Sequence, residues 1–412
     1  MSEAHPPWYT RIGPGLITTC VVIGPGSILT SSSVGAKHEY ALLWVIWASV
    51  IFMLAYMLMG AKLGVVGEGS PGDLLRKHAG KWLAVLVGAS VFFIASAFQS
   101  GNNLGVVAVF ESFVDEKQTV AWLVVAFNAL ALTFLFLFRD TYQMLEKLMT
   151  AFVGIMLLSF AVNLFQLRPS PVGIAEGLIP SIAQIDLPVL GLLGTTFSSA
   201  AAIYQAYLVR QKGWSIGEMR NGVIDTRVAA VLMALITMML MSTAAAGLYT
   251  GEEVKLTSAI DVGIALEPTF GQFGKAIFCT GLFCAAYSSF IVNSMIAGYV
   301  LSDGLGLGSK GTDFWPRVLT ALALLLGMCV ALAALVWDFD RLPTIIAAQA
   351  VTVVTAPLVA GVLFWLTCKR SVMGDHTNGP LLKVIGAIGF LVLVGLALNT
   401  ALVKLPAQWA KL

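Results

Sequence analysis

Residues 12–36 contain no Asp, Glu, Lys, Arg or His, and runs of the same kind return along the whole chain. Eleven stretches are apolar over enough length to cross a hydrocarbon layer of about 30 Å. They lie at residues 13–36, 40–66, 82–112, 119–138, 143–166, 189–210, 228–249, 273–302, 317–337, 343–367 and 382–403. Inside a bilayer a spanning segment must satisfy its own backbone hydrogen bonds, and runs of this length do so as helices. The chain therefore reads as an all-α membrane protein, with residues 1–412 forming one transmembrane domain. Its composition agrees: 58% of residues are hydrophobic and 11% charged, against about a quarter charged in soluble domains.

The first run is interrupted near its middle by Gly24-Pro25-Gly26-Ser27. A helix break at membrane depth frees backbone groups that cost several kcal/mol each if unpaired, so it persists where protein buries it or where it lines a cavity. A related stretch opens the sixth run. Gly15-Leu16-Ile17-Thr18-Thr19 leads into the first break, and Gly191-Leu192-Leu193-Gly194-Thr195-Thr196 leads into Ser198-Ser199-Ala200-Ala201. Irregular segments at matching places in two halves mark an inverted-repeat transporter with its site near the midplane. The expected halves are residues 13–166 and 189–367, with 382–403 as an additional helix.

Half-helix ends carry partial charge. Carbonyls near Val21 and Thr195 are expected to be negative ends, and the helix starts at Ser27 and after Ser198 positive ones. Gly24, Ser27, Val21, Thr195, Ser198 and Ser199 are the resulting candidates for substrate contact. Competing readings stay open for several of them. Gly-Pro-Gly can be a simple kink, and Ser198 and Ser199 can bond back to carbonyls one turn earlier. Asn102, Asn103 and Asn293 can be polar glue between helices, which is the better reading for Asn293. Glu146 is expected to pair with a loop cation.

Of the 24 Lys and Arg, sixteen fall in segments on one side of the eleven spans and eight on the other. Positive charge is retained in the cytoplasm, which predicts a cytoplasmic N-terminus, an outer C-terminus and residence in the plasma (inner) membrane. The start lacks a small-residue cleavage site after a short apolar core, so the first helix is expected to remain in the mature protein. A net charge of +2, with the basic residues scattered among loops, gives no nucleic-acid partner. The expected surroundings are lipid and a small solute or divalent cation, with no cofactor. Cys20, Cys279, Cys284, Cys329 and Cys368 show no metal-type pairing and read as buried small hydrophobes. Neither a nucleophile–base pair nor a ligand cluster suggests an enzyme.

Several short sequences, taken in order, resemble the Nramp divalent metal transporters. They include Gly13-Pro14-Gly15, Leu42-Leu43-Trp44, Leu63-Gly64-Val65-Val66, Leu145-Glu146, Arg168-Pro169, Gly177-Leu178-Ile179-Pro180, Ser288-Ser289, and Gln349 with Pro357. The resemblance implies a LeuT-type fold of five plus five helices, an eleventh helix, and helices 1 and 6 broken at the midplane. It also exposes replacements. The family's Asp-Pro-Gly-Asn stands here as Gly24-Pro25-Gly26-Ser27, and its Met-Pro-His as Ser198-Ser199-Ala200. A second family histidine becomes Gln205, an acidic pair linked to proton movement becomes Gln99 and Asn102, and an arginine of span 9 becomes Ala321. Only Gln349 is kept from the family's metal-binding surroundings, which makes it a further contact candidate.

A stripped divalent ion needs anionic or strongly dipolar oxygens, and the candidate site offers neutral groups. If the cargo is a metal, a largely hydrated, magnesium-like ion fits, because magnesium retains its waters. The smaller side chains also enlarge the site, so a small uncharged or organic solute is the alternative, as is a receptor that no longer transports. Without titratable groups at mid-depth, transport uncoupled from protons is expected.

Overall fold

The protein is described from a computed structural model that covers residues 12–137, 141–181, 187–250, 256, 259–337 and 341–404, apart from the side chains of 265–266, 268–272, 341–354 and a few positions beside the gaps. Every secondary-structure element among the described residues is helical. Among these residues, eight helices are each long and apolar enough to cross a membrane. A ninth crossing is formed by α1 (Pro14–Val22) and α2 (Pro25–His38), which meet at a bend of 58°. The order continues with α3 (Leu43–Val66), the short α4 (Pro71–Ala79), α5 (Lys81–Glu111), α6 (Lys117–Leu137), α7 (Thr141–Leu167) and the short α8 (Pro171–Gly177). The sixth apolar run is divided, as expected, into α9 (Leu187–Thr196) and α10 (Ser199–Lys212). Next come α11 (Met219–Leu248), α12 (Ala259–Leu305), α13 (Phe314–Val336), α14 (Arg341–Cys368), α15 (Arg370–Met373) and α16 (Pro380–Asn399).

Burial separates an inner set of helices from a lipid-facing rim. In α12, 78% of the apolar window lies inside the protein, against 28% in α6 and 17% in α16. The two broken helices sit within the inner set: α1 packs on α7, α10, α11 and α12, and α2 packs on α9 and α11. Small residues allow these close approaches. Gly60 and Gly64 of α3 lie directly against the Ala202 and Ala206 carbonyls of α10, where any side chain would collide with backbone.

Two helices begin earlier than their apolar runs. The polar stretch 211–227 separates two apolar runs, yet α11 starts within it, at Met219. A capping box between Ser215 and Glu218 satisfies the amides of the preceding turn, so helix starts inside the polar stretch and Asp225 and Thr226 become buried. Likewise α12 starts at Ala259 rather than near 273 and has 47 residues. Asp261 in its first turn suits the positive helix end. At 1.5 Å per residue this helix is about 70 Å long and outreaches the hydrocarbon. The cysteines also need correction. Cys20, Cys279 and Cys284 are buried, but Cys368, at the end of α14, is only partly so, and Cys329 is exposed, because it shares the outer face of α13 with Leu322, Leu325 and Leu326.

Polar groups tie the inner helices together at specific points. Asn128 Nδ2 donates to Asn103 Oδ1 at 2.8 Å, joining α6 to α5. Glu146 pairs with Lys212 at 2.7 Å, as expected of a residue near a helix end. The densest joint surrounds Asp303, 2% exposed near the end of α12. Its carboxylate accepts from Ser70 Oγ at 2.6 Å, the Gly72 amide at 2.7 Å and Tyr207 Oη at 2.6 Å. Arg76 bonds to its backbone carbonyl. One side chain thereby fastens α12, the start of α4 and the middle of α10.

Asp303→Ala would leave several buried donors without an acceptor. The expected cost is about 3–5 kcal/mol, read as a lower thermal unfolding midpoint of the purified protein, while Cys329→Ala on the exposed face should leave the midpoint within error.

Candidate functional site

The first break follows from local chemistry. α1 ends where Ile23 donates to the Thr19 carbonyl at 3.0 Å. Gly24 then extends the chain, with φ −121° and ψ −177°, and Pro25 starts α2 at a position that needs no N–H. The last carbonyls of α1 find partners across the gap. Val21 O accepts from Ser289 Oγ of α12 at 3.3 Å, and Val22 O accepts from Ser27 Oγ. Ser27 thus bonds back to the preceding half-helix, and its hydroxyl is engaged.

A methyl group on Gly24 would stand 2.9 Å from Ser289 Oγ and 3.2 Å from Asn102 Oδ1. Gly24, Asn102 and Ser289 therefore face one another around the break, and all three are neutral. Asn293 Nδ2 donates to Ser289 Oγ at 2.9 Å. That bond lies within α12, so Asn293 orients Ser289 rather than joining two helices. Asn102 Nδ2 is buried and has no hydrogen-bond partner in the protein.

At the second break, Phe197 closes α9 by donating to the Leu193 carbonyl at 2.9 Å. Ser198 caps α10, its Oγ accepting from the Ala201 amide at 3.3 Å, so it does not bond back a turn earlier. Ser199 and Ala200 are buried in the first turn of α10. Thr195 Oγ1 donates to the Gly191 carbonyl and lies 3.4 Å from Thr30 Oγ1, which brings the two broken helices together through α2 and α9. The buried Thr196 hydroxyl has no protein partner.

The remaining candidates divide between the break and other places. Gln99, on the same helix as Asn102, is directed elsewhere: it packs on Gly327 of α13, fully buried, with both amide atoms lacking a protein partner. Gln205 lies away from the break, receiving a hydrogen bond from Thr18 and donating to Asp225 Oδ2 at 3.3 Å. Gln349 falls among the residues whose side chains lie outside the description. No group of three or more His, Cys, Asp or Glu suited to a metal occurs among the described residues.

Sequence reasoning missed Asp225. Its side chain is 0% exposed, and its two oxygens accept from the Gly13 amide at 2.8 Å and the Gly15 amide at 2.7 Å. Those amides are free because they open α1, and Pro14 between them has none to offer. The carboxylate thus seals the positive end of the half-helix that runs up to the break. The available signal was an acid just ahead of an apolar run in a chain where acids are scarce.

Comparison with known proteins sets this geometry in context. A family model described as "Natural resistance-associated macrophage protein-like" matches residues 15–403. A protein of Verminephrobacter eiseniae named "Divalent metal cation transporter MntH" is 25% identical over 406 residues, covering 95% of this chain and 88% of the relative. Among solved structures, a manganese transporter of Eremococcus coleocola superposes with a TM-score of 0.81 at 19% identity, over 97% of this chain and 88% of that one. MhsT in complex with L-phenylalanine superposes at 0.60 with 16% identity, over 93% and 98% of the two chains. The fold is accordingly the LeuT type, with its first and sixth spans broken.

Asp225→Asn places an amide N–H₂ where one of the two α1 amides needs an acceptor. A loss of about 1–3 kcal/mol is expected, visible as a reduced unfolding midpoint.

Proposed function

The chain belongs to the Nramp family of membrane metal transporters, and from that premise we propose that it is an alternating-access transporter carrying a divalent cation that keeps most of its water, as magnesium does. The observation that carries this reading is the neutral surround of Gly24. Waters bound to a cation direct their hydrogens outward, so such a cargo needs hydrogen-bond acceptors rather than ligands. Asn102 Oδ1, Ser289 Oγ and the end carbonyls of α1 supply acceptors, and the negative end of a helix favours a cation there. A dehydrated ion would require a carboxylate to offset its burial.

Transport without proton coupling belongs to the same proposal. The positions matching the family's proton-linked acids hold Gln99 and Asn102, which do not titrate. The two buried carboxylates among the described residues, Asp225 and Asp303, are each committed to helix starts. We further propose the two five-helix halves as the moving bodies, in a plasma membrane with the N-terminus inside, from the excess of Lys and Arg on that side.

A second reading rests on one atom. Asn102 Nδ2 is a buried, unpartnered donor on a side chain whose Oδ1 faces Gly24, and a hydrated cation offers it nothing. A small organic solute with a carbonyl would satisfy it.

Proteoliposomes decide between the two. Magnesium influx that does not acidify the lumen, and that manganese does not outcompete, is the expected result. Influx of a neutral amide solute without magnesium flux would establish the second reading, and proton uptake that depends on the cargo would overturn uncoupled transport. As a separate check of location, Gly24→Asp combined with Ser289→Ala, which clears the contact at 2.9 Å, should raise manganese affinity about tenfold or more by restoring an anionic ligand.

A further inference from the structure

Beyond the break, at the far end of α10, a cavity lies among α3, α4, α7, α10 and the turn between α12 and α13. Its volume is about 600 Å³, within the usual range for small-molecule sites. Arg210 and Lys310 line it together with Ser70, Gln211, Tyr207 and Tyr299, and no Asp or Glu is among its described lining residues.

The neighbouring carboxylates are already held. Asp303 takes bonds from Ser70, Gly72 and Tyr207. Glu146 receives Lys212 Nζ at 2.7 and 2.8 Å. Asp313 accepts from the amides of Ser309 and Lys310 at 3.1 and 2.9 Å. Burial would raise the Asp73 carboxyl, but hydrogen bonds from Ser70 and Arg76 outweigh it and hold the group below its ordinary value. None of these acids is left to balance Arg210 and Lys310.

The cavity wall also contains donors without acceptors. The Tyr299 side chain is 0% exposed and its hydroxyl has no protein partner. Gln211 Nε2 is likewise buried and unpartnered. Arg210 gives one N–H to the Gly67 carbonyl at 2.8 Å, which leaves most of its planar donor set free. Two cations and two unspent neutral donors around one space match a group with several acceptor oxygens and more than one negative charge.

We propose that this cavity is a binding site for a phosphate-bearing ligand, separate from the transported solute. The phosphate can arrive on a soluble ester or on a lipid headgroup, since the chemistry is shared. The site does not depend on what the break carries, so the outcome of the flux experiments leaves it standing or falling on its own test.

That test is calorimetric titration of the full chain with pyrophosphate, in nanodiscs of phosphatidylcholine and in nanodiscs containing phosphatidylglycerol. Saturable binding in the first, weakened about tenfold by Tyr299→Phe and by Arg210→Gln, supports a soluble ligand. Binding in the first that disappears in the second supports a lipid headgroup as the native occupant. Tyr299→Phe removes a hydroxyl that has no protein partner, so its unfolding midpoint should match the parent and its effect cannot be ascribed to misfolding. Absence of saturable pyrophosphate binding in phosphatidylcholine discs, or binding that Tyr299→Phe and Arg210→Gln both leave unchanged, overturns the proposal.

Discussion

A helix that stops inside a bilayer frees amides and carbonyls where water cannot reach them, and much of this protein's inner architecture answers that constraint. The answers come from side chains on other elements. Ser289 of α12 serves the Val21 carbonyl, Ser27 serves Val22 across the gap, and Ser198 caps the start of α10. Short hydroxyls suit the task because they bond to backbone without bringing charge into the membrane. Buried carboxylates stand away from the breaks, at two other helix starts: Asp225 takes the Gly13 and Gly15 amides, and Asp303 the Gly72 amide.

The same economy explains the character of the site. In a protein that strips ions of water, the break would have to carry its own anion. Here the end carbonyls of α1 are met by hydroxyls, and the groups that face Gly24 are neutral. Two buried acids, Asp225 and Asp303, sit instead on either side of α10, reached through Gln205 and through Tyr207. α10 is therefore held by both carboxylates, one at the base of α1 and the other at the start of α4.

The spans and both breaks were legible in the sequence because each depends on local signals: long uncharged runs, Gly-Pro-Gly, and a serine pair at a helix start. Helix starts within polar stretches were not legible. A capping box satisfies the turn that leads into Met219, and an acid in the first turn of α12 suits its positive end, neither of which an apolar run reports. The surroundings of the candidate site were legible in part. Gly24 was, because it stands at the break. The convergence of Asn102 and Ser289 on it was not, since they come from two other helices and nothing in their own segments fixes the direction of the side chain. Gln99 shows the same limit from the other side: three residues from Asn102, it faces a different neighbour. Asp225 was hidden because its partners lie more than 200 residues away in the chain.

That distance has a consequence for how the protein is made. Gly13 and Gly15 are made well before the carboxylate that accepts from them, which comes 212 and 210 residues later. At about 5–20 residues per second of synthesis, the first half-helix waits about 10–40 s for its acceptor. Through that interval the insertion machinery, lipid headgroups or water must shelter the two amides. The opening span of this protein is thus a provisional structure during biosynthesis, completed only when the seventh span emerges.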